Sequence, residues 1–255
     1  MREILSPADL VAAADGDVRV LWAGQGLKDR NRAWCAGDAV AVVAPELNRH
    51  DRIVVKGPID DVAPLVRGVL GIVGPTYRPF GAEPLIREVV ERIPELSLRA
   101  TFGWMETDEP PAETVTARWL ADDAGVAELL EEASPTSYAW PGAAGVTRWA
   151  GIEASEPSAR PDGADLSAPE PEQGRLLSVA ADAWSAPEVG FIAGVATLPS
   201  ARGRGLSRQV CAFVTTELVK RHGRVGLMVD GGNETAIGLY RTLGYSYHPV
   251  GVAQL

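Results

Sequence analysis

The chain has little of what metal, disulfide or nucleic-acid-binding proteins rely on. Its two cysteines, Cys35 and Cys211, lie far apart and predict no disulfide framework. The three histidines, His50, His222 and His248, show no ligand spacing, so the sequence predicts no metal site. Positive charge is also scarce, because 24 Lys and Arg residues stand against 34 Asp and Glu residues, for a net charge of -10. That balance argues against nucleic acid or an anionic membrane as the main partner.

Long hydrophobic runs are missing as well. Nothing resembles a signal peptide or a spanning segment, so the sequence predicts a soluble, cytoplasmic protein. What remains is an ordinary globular composition, 46% hydrophobic and 23% charged, over 255 residues. That length suits two domains. Cys211 falls within an apolar pattern of helical spacing, which favours a core residue over a nucleophile.

The succession of elements predicts an α/β fold in two parts. Residues 1–105 are predicted to form a smaller N-terminal α/β domain of unknown role, with a strand over Val18–Trp22 and a helix over Ile59–Val73. Residues 106–114 are acidic and contain a double proline, which predicts a linker, because proline is excluded from helix interiors and central strands. No motif in the N-terminal part indicates a particular chemistry.

The remaining residues, 115–255, are predicted to form a second α/β domain. Its first strand is expected over Val115–Leu120. Within it, residues 154–173 are rich in Pro, Asp, Glu and Ser and poor in large apolar residues. This composition predicts an exposed loop insertion, because it cannot bury enough apolar surface to form a core.

The most informative stretch is Val189–Ser207. An apolar, β-branched run is stopped by Pro199, turns through a glycine-rich segment and enters an apolar pattern of helical spacing. Glycines allow close approach of backbone N–H groups, and the first N–H groups of a helix lack internal partners. With Arg202 and Arg204 beside them, these features predict a phosphate site. The alternative is a plain strand-to-helix turn with solvated arginines.

Two motifs in the C-terminal half resemble the GCN5-related N-acetyltransferase (GNAT) superfamily. The first is the family's Q/R-x-x-G-x-G/A turn between strand and helix, read here from Arg202 to Ser207, with serine at the last position. The second combines Asn-x-x-Ala with an aliphatic-Tyr pair and Leu-Gly-aromatic. Its members here are Asn233, Ala236, Leu239, Tyr240, Leu243, Gly244 and Tyr245. One glycine-rich turn alone is weak evidence, but two motifs in the right order are specific.

The resemblance implies a GNAT fold, which is a mixed, mostly antiparallel central sheet flanked by helices. It covers about residues 175–247 firmly. Some acyltransferases of the superfamily carry a degenerate second copy of the fold before the active one, so the N-terminal half is either such a copy or a separate domain. The implied partners are acetyl-CoA as cosubstrate and an unidentified amine. A homodimer is among the assemblies that the sequence allows.

The resemblance also implies site residues. Backbone groups of Val195–Thr197 would meet the pantetheine arm of the cofactor, and those of Gly203–Ser207 would meet its pyrophosphate. The full set of cofactor-binding candidates is Val195, Ala196, Thr197, Arg202, Gly203, Arg204, Gly205, Leu206, Ser207 and Asn233. Tyr240 is the catalytic candidate, as the acid that protonates the departing thiolate. Taken alone, Asn233 is as well explained as a helix N-cap and Tyr240 as a core residue.

The general base is left open between Glu188 and Asp182, because Val189–Leu198 contains no carboxylate. The sequence therefore predicts an acyl-CoA-dependent N-acyltransferase, acting by direct attack of an amine on the thioester. The alternative, motivated by the missing carboxylate, is a non-catalytic acyl-CoA-binding or regulatory module. Neither the acceptor nor the acyl-chain preference follows from the sequence.

Overall fold

The computed structural model describes residues 1–113, 115–154 and 174–255. Of the predicted exposed loop at 154–173, residues 155–173 lie outside the described part. The helices are α1 (Pro7–Ala14), α2 (Val18–Gly24), α3 (Ile59–Val73), α4 (Glu83–Arg92), α5 (Val126–Ala133), α6 (Leu206–His222) and α7 (Glu234–Thr242). No helix in these ranges has the length and apolarity needed to cross a membrane.

The strands of the described residues form one sheet. They are β1 (Arg2–Ile4), β2 (Arg32–Ala36), β3 (Ala39–Leu47), β4 (His50–Lys56), β5 (Arg78–Ala82), β6 (Ser97–Thr107), β7 (Arg118–Trp119), β8 (Val146–Glu153), β9 (Leu176–Ala183), β10 (Gly190–Thr197), β11 (Val225–Val229) and β12 (Ser246–Gln254). Their spatial order is β1-β2-β3-β4-β5-β12-β6-β11-β10-β9-β8-β7. Two neighbouring pairs, β4 with β5 and β10 with β11, are parallel, and the others are antiparallel. The predicted fold class, a mostly antiparallel mixed sheet flanked by helices, is confirmed.

The two halves of the sheet repeat one topology. From β1 to β6 and from β7 to β12, the order is a short strand, one or two helices, three antiparallel strands, a helix, a parallel strand, a helix and a last strand. The last strands are exchanged, because β12 pairs with β5 of the first half and β6 pairs with β11 of the second. β6 ends at Thr107, two residues inside the segment predicted as a linker. The division into domains at 106–114 stays a prediction.

Aromatic side chains join the halves behind the centre of the sheet. Trp22 stacks on Phe191 at 4.7 Å between ring centroids and lies 5.3 Å from Trp104. All three are buried, and the indole N–H of Trp22 donates to the Trp184 carbonyl at 2.9 Å. Burial of such large side chains contributes much of a core's stability. The halves therefore share one core across the exchanged strands.

Two predicted strands differ in the structure. Val18–Trp22 lies in helix α2, because Asp17 caps it by accepting the N–H groups of Arg19 and Val20 at 3.0 and 3.1 Å. Such a cap satisfies orphan donors of the first turn and outweighs the β-branched composition of the run. The strand predicted over Val115–Leu120 is reduced to the two residues of β7.

Candidate functional site

A cleft opens where β10 and β11 separate. The two strands pair only from Gly190 to Ile192, and β10 continues beyond that point without a partner on this side. On its other side the register with β9 shifts between Ala193 and Ala196, so Gly194 and Val195 have no partner in either register. Gly194 has a φ of +62°, a conformation that favours glycine. The bulge thus leaves backbone polar groups of β10 facing the cleft.

The glycine-rich turn lies at the end of this cleft. Gly203 and Gly205 have φ values of +76° and +74°, and Gly205 is the N-cap of α6 without any side-chain cap. The first N–H groups of this 17-residue helix therefore lack a protein side chain to accept them. Together with the helix dipole, they form a site with affinity for an anion.

A chain of hydroxyl groups fixes the turn to the sheet. Ser178 Oγ donates to the Ala196 carbonyl at 3.2 Å and contacts Thr197 Oγ1 at 2.8 Å, which in turn contacts Ser207 Oγ at 2.6 Å. Because each hydroxyl has one proton to donate, Ser207 donates its hydrogen bond to Thr197, and Thr197 donates to Ser178. The hydroxyl proton of Ser207 is therefore used within the protein. Neither it nor another side chain caps α6.

The cleft and the turn line one cavity of about 730 Å³. All but one of the sequence-predicted cofactor residues line it, and the exception is Arg204, which is exposed. Arg202 lines the cavity, and its guanidinium donates to the Thr197 carbonyl at 3.4 Å. Asn233 lines the cavity too and caps α7 by accepting the N–H of Ala236 at 3.0 Å. The structure thus brings these candidates together around one space.

Tyr240 lies on the wall of the same cavity and is only 7% exposed. Burial, with a smaller contribution from the neighbouring Cys211 thiol, raises the pKa of Tyr240 well above its usual value of 10. The phenol is therefore protonated at neutral pH, as a proton donor must be. Burial also raises the pKa of Cys211 to about 12, which makes this thiol a neutral core residue.

Neither carboxylate considered as a base lines the cavity. Asp182 is 2% exposed, pairs with Arg148 at 3.2 Å and accepts the hydroxyl of Ser185 at 2.5 Å, which is a structural arrangement. The acid that does line it is Asp230, which follows the last residue of β11. Its Oδ1 accepts the N–H of Gly232 at 2.9 Å. In the sequence, only the position of Asp230 directly after a short apolar strand, at a turn, indicated that it could be a site residue.

A second cavity of about 750 Å³ continues from the first toward the N-terminal half. The two share the β10 segment Ile192–Val195 and the end of β11, including Asp230. The far side of the second cavity is formed by His50 and Arg52 of β4, Arg78 of β5 and residues 99–102 of β6. Among the described residues, no three His, Cys, Asp or Glu side chains gather as metal ligands.

The fold recurs in known proteins. Residues 173–250 match the family described as FR47-like protein. A GCN5-related N-acetyltransferase from Kribbella flavida is 20% identical, with a TM-score of 0.55 over 95% of this chain and 94% of that one. A GCN5-related N-acetyltransferase from Sphaerobacter thermophilus is 18% identical, with a TM-score of 0.56 over 100% and 94%. An acetyltransferase of the GNAT family from Colwellia psychrerythraea is 11% identical, with a TM-score of 0.51 over 100% and 99%.

The similarities to these three solved structures extend over both halves of the chain. The resemblance of the C-terminal half to the GCN5-related N-acetyltransferases is confirmed, and the molecule as a whole has the fold of proteins of that class. No curated protein matches the chain.

Proposed function

We propose that the protein is an acyl-CoA-dependent N-acyltransferase that moves acetyl from acetyl-CoA to a primary amine. The observation that carries the proposal is the continuous path from the glycine-rich turn, along the unpaired part of β10, into the second cavity. An anion site, free strand backbone and an adjoining pocket in one line suit a long phosphorylated cosubstrate and a separate acceptor.

The residues present fit acetyl-CoA. The amides of the first turn of α6 would hold the pyrophosphate, with Arg202 adding charge, and the unpaired backbone at Gly194 and Val195 would meet the pantetheine arm. Acetyl-CoA supplies an activated acyl thioester. Holding the amine beside it provides much of the rate by proximity, without a covalent intermediate on the protein.

Three groups of the chain would act on the reaction. Backbone N–H near Val195 stabilises negative charge that develops on the acyl oxygen. Tyr240 donates the proton that the leaving sulfur requires. Asp230 lies where the two cavities meet, and its Oδ2 is not engaged by the turn that holds Oδ1, so it takes up the proton that the attacking amine releases.

Binding is tested by calorimetric titration with acetyl-CoA. Arg202→Gln should weaken binding about tenfold, as expected for loss of a charge-assisted contact to phosphate. Arg204→Gln should weaken it less, because Arg204 does not line the cavity. Arg221→Gln, at the exposed other end of the same helix, is the matched control and should bind normally. No heat of binding in the unsubstituted protein would refute the proposal.

Catalysis is tested with Tyr240→Phe and with Tyr245→Phe as its control. Tyr245 is an equally buried neighbour, 5.5 Å away between ring centroids, but its hydroxyl contacts Thr215 at 2.7 Å and does not line the cavity. Loss of a general acid typically lowers turnover 10²- to 10⁴-fold. We expect this for Tyr240→Phe alone, with acetyl-CoA affinity unchanged. Binding of acetyl-CoA without transfer to any amine would instead support the non-catalytic module.

A further inference from the structure

We propose that the second cavity recognises its acceptor by an anionic group, so that the acceptor is a small molecule with both an amine and a carboxylate, as in an amino acid. This inference rests on the proposed acyl transfer and assigns its substrate class. It is carried by two arginines of the N-terminal half that line the cavity without an acidic partner among the described residues.

The proposal depends mainly on the burial of Arg52. It is 3% exposed, lines the cavity and has no carboxylate within ion-pair distance in the described residues. Its Nε donates to the Leu47 carbonyl at 3.1 Å, and its Cζ lies 5.4 Å from the ring centroid of Phe80. Those contacts hold the guanidinium in place, and its terminal N–H groups remain available to donate to a ligand. A buried, unpaired charge is costly, and an anion in the cavity would offset that cost.

Arg78 lies beside Arg52 on the neighbouring strand. It is half-buried, and its Nη1 donates to Nδ1 of His50 at 3.3 Å. Burial, with the charges of Arg52 and Arg78 adding to it, lowers the pKa of His50 to about 4, so this imidazole is neutral and can accept. The adjacent acid, Asp51, accepts hydrogen bonds from the Glu46 N–H and the Thr76 hydroxyl instead of pairing with either arginine.

The charged residues that line the cavity leave an excess of positive charge. Arg52, Arg78 and the exposed Arg99 stand against Asp230, which is exposed as well, so the charged side chains that line the cavity leave a net charge of +2. A carboxylate on an acceptor whose amine is in its neutral, reactive form offsets part of that charge. Arginine forks match carboxylates in geometry. The amine then lies toward Asp230 and the first cavity.

Part of the remaining wall is apolar and provides space for a side chain. Phe102, Ala139, Phe191 and Met228 all line the cavity, which measures about 750 Å³. This volume is in the range that small-molecule sites occupy. We therefore expect acceptors that carry an apolar substituent to bind better than the smallest members of the class.

The test compares matched pairs that differ only in the carboxylate: L-leucine with 3-methylbutylamine, and L-phenylalanine with 2-phenylethylamine. Without acetyl-CoA, the thermal unfolding midpoint is measured with each compound at millimolar concentration. With acetyl-CoA, thiol release gives kcat and KM. We expect the amino acid of each pair to stabilise the protein and to react with the higher kcat/KM. Equal behaviour of the two members, or preference for the plain amine, would overturn the proposal.

The variants locate the effect. Arg78→Gln should raise KM for the amino acids about 10- to 100-fold, as for loss of a hydrogen bond to a charged group. It should leave kcat and the values for plain amines nearly unchanged. Arg52→Lys keeps the buried charge and should lower amino-acid affinity less than Arg52→Gln. Arg87→Gln, at an exposed helix position, is the control. An equal KM increase for both members of a pair would contradict recognition by the arginines.

Two further results distinguish the carboxylate assignment from the proposed acyl transfer. Aminomethylphosphonate is compared with glycine, and a preference for the phosphonate would overturn the carboxylate assignment. If no compound releases thiol, the proposed transfer fails. An amino-acid-specific midpoint shift that Arg78→Gln abolishes would still support the anion site in that case.

Discussion

Replacing Gly194 with alanine tests the bulge that opens the cleft. The residue has a φ of +62°, and an added Cβ would lie 2.5 and 2.8 Å from ring atoms of Trp149 and 3.1 Å from the Cβ of Ala139. Both neighbours are buried, so neither can move into solvent. The substitution therefore combines a conformational cost with a steric one.

The two costs can be separated with a second glycine. Gly203 has a similar φ of +76°, but an added Cβ there meets nothing within 4 Å. A left-handed conformation costs an ordinary residue about 1–2 kcal/mol. Overpacking a core adds about 1–3 kcal/mol. Gly203→Ala should therefore lower the free energy of unfolding by about 1–2 kcal/mol, and Gly194→Ala by about 2–5 kcal/mol.

The measurement is urea unfolding of both variants beside the unsubstituted protein. At an unchanged dependence on denaturant, the difference in midpoint gives the difference in stability. Gly194→Ala should unfold at clearly lower urea than Gly203→Ala. If the two variants shift by the same amount, the close approach of Trp149 to β10 is not what demands glycine, and the packing of the bulge described above is wrong.

Substitutions at three further positions test single contacts. Ser207→Ala removes the contact to Thr197 and should cost about 1 kcal/mol in urea unfolding, while calorimetry shows nearly unchanged acetyl-CoA affinity, because the hydroxyl proton was already used within the protein. Asn233→Ala should cost about 1 kcal/mol by loss of the α7 cap, and Asn233→Asp should restore most of it. His50 has a pKa of about 4 in the folded state against 6.5 in the unfolded state, so the unfolded state binds its proton first as pH falls. The stability that this difference in pKa provides above pH 6.5 is thus lost toward pH 4, and His50→Gln should reduce this loss in thermal melts. An unchanged dependence of the melting temperature on pH in His50→Gln would contradict this role of His50. Undiminished stability of Ser207→Ala, or no recovery of stability in Asn233→Asp, would contradict the contact tested there.

Local patterns predicted those elements whose signals lie in consecutive residues. The helix over Ile59–Val73 carries apolar periodicity and clear end signals, and the structure has it with those bounds. The glycine-rich turn was recognisable because its chemistry lies in consecutive residues. The strand predicted over Val18–Trp22 was wrong, because the prediction gave more weight to the β-branched composition of this run than to the helix N-cap at Asp17.

The second cavity could not be predicted in the same way. Arg52 and Arg78 lie on separate strands and Asp230 follows a third, and the exchange of β6 and β12 joins these strands in one sheet. Nothing near Arg52 in the sequence distinguishes a buried arginine from an exposed one. The repeat of topology between the halves likewise becomes visible only in the order of strands.

The exchanged strands also govern how the chain reaches this fold. Ser97 pairs with Gln254 and Glu106 with Ser246, so the centre of the sheet joins segments far apart in sequence. During synthesis, the edge of β5 stays unpaired until β12 has been made. By then the chain already contains β6, which corresponds to β12 in the repeat. Distant pairings form slowly, and an unpaired edge invites wrong partners. We expect refolding to be limited by the competition of β6 and β12 for that edge.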